Sequence, residues 1–294
     1  MVLLVITATV LSSFLALTMA FFYASHKTFP GFGHWTFGGS LIAFGYLMMV
    51  LRGIVPVSLS IVLVNVAVPL SAVFYLDGMR RFLDLSEISR GWYAVPAVSA
   101  LMSVVTFYTS DSAAWRSFFT SLAFSVPHLL TSALVFSDYP KTKSLFYLII
   151  GTEMALASTV LMARAIWGFT VPDFQLMMVS PVEAGFFISL MVLQIVITVS
   201  FIMLNAERSN RDLQLAEAAV RGNLEKLEKA LAEVKTLQGI LPICANCKKI
   251  RDDRGDWVPM EAYVRDRTDA DFSHGICPTC AKKLYPQFYK EKLV

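Results

Sequence analysis

Long apolar runs dominate the first two thirds of the chain and stop near residue 205. Seven of them approach the length of about 20 residues that crosses roughly 30 Å of hydrocarbon. They fall at 2–23, 36–51, 54–76, 91–110, 115–137, 144–167 and 181–204, the second being short and rich in glycine. No Lys or Arg precedes the first run, which also exceeds the apolar core of a secretory signal, so it is expected to remain as an anchor. None of the runs has the short alternating pattern of a membrane barrel. The expected fold class is an all-α helical membrane bundle of seven spans over residues 1–205.

From Ala206 the pattern changes. The segment AERSNRDLQLAEAAVRGNLEKLEKALAEVKTLQGIL lacks proline and is dense in strong helix formers. With Leu224 and Leu231 at heptad position a, Leu213, Val220, Leu227, Val234 and Leu241 all fall on position d. Asn210, Glu217 and Gln238 make other a positions polar, so only the central seam is fully apolar. Glu225, Lys226, Glu228, Lys229, Glu233 and Lys235 suit a solvated face, and Gly222 points outward. Residues 206–241 are therefore expected to form a cytoplasmic coiled coil that makes the protein a parallel homodimer. The alternative is a lone amphipathic helix lying on the membrane or on the segment that follows.

That last segment, 242–294, holds all four cysteines: Cys244 and Cys247 in one Cys-x-x-Cys, Cys277 and Cys280 in another, with 29 residues between the pairs. A Cys-x-x-Cys turn directs two sulfurs at one ion, and a distant second pair closes a tetrahedron, so this is the spacing of a structural zinc site. A redox dithiol pair and an iron–sulfur centre are the rivals. The first needs a βαβ setting, which is not evident, and four thiolates at knuckle spacing suit zinc better than a cluster. His274 either replaces one thiolate, bonds to a sulfur from behind the ligands, or lies on the surface.

Between the pairs, Asp252–Gly255 reads as a turn joining strands at Lys248–Arg251 and Asp256–Val258, and Pro259 opens a helix over Met260–Arg267. The expectation is a small α+β zinc module of treble-clef or ribbon layout, with Trp257, Tyr263, Phe272, Ile276 and Leu284 as its minicore. About fifty residues bury too little surface to be stable alone, which is the physical need for a metal.

Charge refines the division. Residues 1–205 hold 9 Lys/Arg and 8 Asp/Glu, whereas residues 206–294 hold 16 and 14. Neither part has the basic excess of a nucleic-acid binder, so no nucleic-acid partner is expected. Lys27, Arg80, Arg81, Arg90, Lys141 and Lys143 fall in the loops on one side. Arg52, Arg116 and Arg164 lie towards the other, whose longest loop, Trp167–Val179, carries only Asp173. The positive-inside rule then places the N-terminus outside and the C-terminus in the cytoplasm.

Away from the run ends, the amide and ionisable residues within the runs are few: Asn65, His128, Glu153 and Gln194. An ionisable group at bilayer depth is expensive, which makes Glu153 and His128 candidates for intramembrane sensing, with Asn65 beside them. The plainer alternatives are that Glu153 bonds to a neighbouring helix, that His128 caps a carbonyl freed by Pro127, and that Asn65 and Pro69 mark a kink. His26 and His34 lie at the first inner loop, so a buried bis-histidine haem is not expected.

The string LQGILPICANCKKIRDDRGDWVPMEAYV, followed by FSHGICPTCAKKLYP, resembles the C-terminal cysteine-rich tail module of bacterial signal-transduction proteins. The resemblance covers about the last 55 residues and implies a bacterial signalling role. GMRRFL at Gly78–Leu83 is similar to the sensor regions of membrane diguanylate cyclases and histidine kinases, although this sequence contains no GGDEF or EAL string and no phospho-acceptor context after the coil. The expected function is a receptor or adaptor of the bacterial inner membrane. It would relay a membrane or extracytoplasmic stimulus through the coil to a zinc module that binds a cytoplasmic signalling protein, without catalysing a reaction. A metal or redox sensor acting through the cysteines, and a proton-linked transporter with a regulatory zinc tail, are the alternatives.

Overall fold

Each apolar run is helical. The structure, a computed structural model, describes residues 2–110, 112–171, 174, 180–233 and 240–288. In chain order the first seven helices are α1 (Val2–Ser25), α2 (Phe32–Val50), α3 (Val57–Phe82), α4 (Val95–Thr109), α5 (Ala113–Thr142), α6 (Leu145–Thr170) and α7 (Pro181–Glu233), with a 3-10 turn at Arg90–Ala94 leading into α4. Six of them are long and apolar enough to cross a membrane. The exception is α2, whose first turns carry Gly33, His34, Trp35 and Thr36 and dilute its hydropathy. The chain divides into two compact units, Met1–Gln214 and Leu215–Val294.

In the first unit, the helices are apolar almost all round, so the direction each one faces is set by packing. On α1, Val5, Ala8, Ser12, Leu15 and Met19 are buried while Leu3, Ile6, Val10, Phe14, Leu17 and Phe21 are exposed. A stripe of large apolar side chains on the outside is rare in water and ordinary in lipid. The largest buried cluster joins α1, α2, α3, α5, α6 and α7 and includes Met19, Trp35, Tyr75, Val135, Met154 and Phe201. Trp35 and Phe201 stack with ring centroids 4.1 Å apart and planes 7° from parallel.

Glycine sets the approach of α2 and α3. Gly31 has φ +96°, and a Cβ there would lie 2.0 Å from the Gly78 carbonyl oxygen. A Cβ on Gly78 would in turn lie 2.5 Å from the Trp35 ring. The GMRRFL string is thus the last turn of α3 followed by its cap, rather than a loop, and its glycine is the contact point between two backbones.

At the same end of the bundle, Asp77 is buried and fully engaged. It accepts from Arg81 Nε at 3.0 Å, the Ile88 amide at 3.2 Å and Tyr93 Oη at 3.2 Å, with His34 Nε2 at 3.4 Å. Three loops also clasp α7 there. Asn205 accepts from the Phe29 amide at 3.0 Å, Glu207 accepts from the Ser144 hydroxyl, and Arg208 pairs with Asp84 at 2.9 Å. The Arg208 guanidinium also lies over the rings of Phe29 and Phe82, 4.6 and 5.1 Å from their centroids.

Past these contacts, α7 continues to Glu233, where Leu213, Val220, Leu224, Leu227 and Leu231 are all exposed. The seam positions Val234 and Gln238 lie outside the described residues, as do Asp173 and most of the Trp167–Val179 loop.

The second unit contains a two-stranded antiparallel sheet, β1 (Ile250–Arg251) and β2 (Trp257–Val258), then α8 (Met260–Arg265) and α9 (Pro278–Leu284). Ile250 pairs with Val258 and Arg251 with Trp257. The Asp252 carboxylate shapes the turn by accepting from the amides of Arg254 and Asp256 at 3.0 and 2.8 Å, and Gly255 takes φ +91°.

The minicore differs from the expected one. Ile250 and Tyr263 are buried, whereas Trp257, Phe272, Ile276 and Leu284 are exposed. Strand pairing explains part of this: Trp257 sits across from Arg251 on the solvent face, so the inner face goes to Ile250. Arg267 covers Tyr263 instead, 3.9 Å from its ring centroid, and bridges to Asp253 at 2.7 Å.

Candidate functional site

Four polar residues from four helices meet in one place. Asn65 on α3, His128 on α5, Glu153 on α6 and Gln194 on α7 all line a cavity of about 160 Å³ inside the bundle. Its remaining wall is largely apolar and aromatic, with Tyr46, Tyr75, Phe124 and Phe187 among the lining residues. Arg52, Arg116 and Arg164 also contribute to it.

Three of the four polar groups bond to protein. The Asn65 amide donates to the Ile61 carbonyl at 2.7 Å and accepts from the Thr120 hydroxyl. Gln194 Oε1 accepts from Ser12 Oγ at 2.6 Å, which ties α7 to α1. His128 Nδ1 donates to the Phe124 carbonyl at 3.1 Å, leaving Nε2 as the acceptor, and the ring stacks on Phe124 at 4.0 Å. The carbonyl that Pro127 deprives of a donor is that of Ala123, four residues back. His128 therefore bonds one residue further on than expected.

Glu153 differs. It is 6 % exposed, and its Oε2 has no hydrogen-bond partner among the described residues. The expected bond to a neighbouring helix is not found there. A buried carboxyl oxygen without a donor costs about 1–3 kcal/mol, so such a group calls for an explanation.

A second acidic residue went unremarked in the sequence. Glu183, in the first turn of α7, is completely buried, and its two oxygens accept from Arg164 Nε and Nη2 at 3.1 Å each. Arg164 Nη1 also donates to Ser117 Oγ at 3.2 Å. The signal was a lone acid opening one run and a lone base near the end of the preceding one, on the same side of the bundle. Their pairing turns Arg164 inward, so it is not a loop charge.

The cysteine segment presents its cysteines as two separate turns. Cys244–Cys247 is a tight turn in which the Lys248 amide donates to the Cys244 carbonyl at 3.0 Å and Lys248 itself takes φ +61°. Backbone N–H groups of Cys247 and Asn246 point at the Cys244 sulfur and, with the Cys247 thiol, hold its pKa below the ordinary thiol value. Cys277 caps α9, whose first turn carries Cys280. The Cys280 amide, followed by its thiol, lowers the Cys277 pKa in the same way.

N–H groups aimed at sulfur favour the thiolate, which is the metal-binding form. Each pair by itself therefore fits a thiophilic ion such as zinc. All four cysteines are free thiols, Cys247, Cys277 and Cys280 being exposed. No group of three or more His, Cys, Asp or Glu is gathered for a metal among the described residues. His274 is exposed as well. No protein-family model matches the chain, and neither a curated protein nor a solved structure matches it.

Proposed function

We propose that the chain is a signal-transduction receptor of the bacterial inner membrane, in which the helical bundle senses and the cysteine segment presents an output surface. The observation that carries this reading is the cavity. Its polar lining comes from α3, α5, α6 and α7, and α7 is the same helix that bears the coil heptads. A change inside the bundle thus acts on the element that leads out of it. The collar at Asn205, Glu207 and Arg208 gives that change three points of leverage on α7.

In this reading all seven helices span, with α2 sheltered among more apolar neighbours, and the N-terminus lies outside. The inward-turned Arg164 supports the orientation, because it removes a base from the outer side of the positive-inside comparison. Residues 206–241 form a parallel homodimer: the exposed seam of Leu213, Val220, Leu224, Leu227 and Leu231 keeps heptad spacing and matches a second copy of itself.

Cys244, Cys247, Cys277 and Cys280 bind one zinc ion as a structural centre, with His274 outside the ligand set. The ion supplies the core that Ile250 and Tyr263 are too few to provide. The assembled head then binds a cytoplasmic signalling protein, and no residue is assigned a catalytic role. The exposure of three of the thiols favours one variant, in which loss of the metal is itself the signal.

The test is a photo-crosslinking residue at position 224 of the full-length protein in native membranes. Crosslinked dimers are expected, with a yield that changes when Glu153 becomes Leu. No dimer at all would remove the coil, and an unchanged yield would remove the relay.

A further inference from the structure

The cavity around Glu153 has the size, the wall and the unmet hydrogen bond of a ligand site. We infer that it binds a neutral small aromatic molecule carrying one N–H or O–H donor, seated with that donor on Glu153. The inference rests on the receptor reading for its purpose but not for its chemistry, which follows from three observations.

The first is volume. An apolar cavity of about 150 Å³ accepts a benzene-sized guest, and this one measures about 160 Å³. A single ring fits this space.

The second is the wall. Tyr46, Tyr75, Phe124 and Phe187 line the space, and aromatic guests gain from contacts with such rings beyond the area they bury.

The third is Glu153 itself. Asn65 bonds to protein through both its amide atoms, and His128 Nδ1 and Gln194 Oε1 are likewise bonded, while Glu153 Oε2 is buried and without a partner among the described residues. As a carboxylate oxygen, or as the carbonyl oxygen of the neutral acid, Oε2 accepts a hydrogen bond, and the guest supplies the donor. A neutral donor suits the site better than an ammonium ion, because the lining already includes three guanidinium groups.

The experiment uses full-length protein in lipid nanodiscs, with empty nanodiscs as the partition blank. The probes are 4-fluorophenol and 4-fluorotoluene, followed by ¹⁹F NMR. They have nearly the same shape and differ in one hydroxyl. The phenol should bind saturably, one per chain and at least tenfold more tightly than the toluene. Glu153→Leu should reduce that preference to within about twofold, the size of effect expected when a hydrogen bond to a buried group is lost.

Ala157→Phe, which fills the space from α6, should block both probes. The unliganded Glu153→Leu protein should melt no lower than the original, since it loses an unmet polar atom; a clear fall would assign Glu153 to packing and overturn the inference. Equal affinities for the two probes, no saturable binding because the space holds ordered water only, or a preference that survives Glu153→Leu would each overturn it as well. If the crosslinking yield at residue 224 responds to Glu153→Leu while the phenol does not bind, the ligand class is wrong and the receptor reading stands. If the phenol binds as expected while that yield is unchanged, the site stands and the relay falls.

Discussion

Arg164→Met tests the buried ion pair, because it leaves the fully buried Glu183 carboxylate without the two 3.1 Å bonds it now accepts. Breaking a buried pair by removing one partner costs about 3–5 kcal/mol, whereas replacing both partners by apolar residues is often neutral or stabilising. Helices unfolded within a membrane find other partners, and polar couplings there average about 0.6 kcal/mol, so the low end of the range applies. Arg164→Met should therefore cost about 3 kcal/mol. Ser117→Ala, which removes a single hydrogen bond to the guanidinium, should cost about 1 kcal/mol.

The Arg164→Met/Glu183→Leu double variant should be no less stable than either single one. Unfolding in mixed micelles by an anionic detergent, followed by tryptophan fluorescence, measures the original protein, Arg164→Met, Glu183→Leu, their double variant and Ser117→Ala. Independent sites add within about 0.5 kcal/mol. If the two single costs simply add in the double variant, the pair is not the coupled unit described here.

The other predictions concern the remaining parts of the chain. Gly31→Ala should destabilise the bundle by at least the roughly 1–3 kcal/mol typical of overpacking, since its Cβ meets a carbonyl oxygen of α3 and φ is left-handed; the same unfolding assay reads it. Full-length protein should contain one zinc per chain by elemental analysis, and cobalt substituted for it should give the visible spectrum of a tetrahedral thiolate site. Serine at any one of the four cysteines should reduce both signals. In metal-free protein, Cys244 and Cys277 should alkylate faster near neutral pH than an ordinary thiol. Their lowered pKa keeps the thiolate populated to lower pH, and the advantage should shrink as pH rises past the ordinary thiol pKa, where both thiols are ionised. Leu227→Asp should abolish crosslinking at residue 224 while leaving the bundle's unfolding unchanged.

Most of the helices were legible in the chain, because an apolar run of membrane length has few other ways to satisfy its backbone. The turn of GMRRFL into the end of α3 and the continuity of α7 past residue 205 were not fixed by hydropathy, since polar helix extends a span without an apolar signal. The meeting of Asn65, His128, Glu153 and Gln194 was beyond reach for a related reason. Each sits on a helix that is apolar nearly all round, so nothing in the run states which way the residue points. Glu183 escaped notice because its partner lies across a loop and the pair cancels its own charge. In the cysteine segment the turn of Asp252–Gly255 was readable from its residue types, but strands of two residues give no alternation to read, and Trp257 was wrongly placed inside.

The central claim is that the interior of the bundle governs the pairing of α7 outside it. Spin labels carried on an unnatural amino acid at position 224, in full-length protein reconstituted into lipid, measure the distance between two copies directly. Paired helices should give an interchain distance compatible with axes roughly 8–10 Å apart, and the Glu153→Leu protein should give a different distribution. No interchain coupling, or identical distributions in the two proteins, would contradict it.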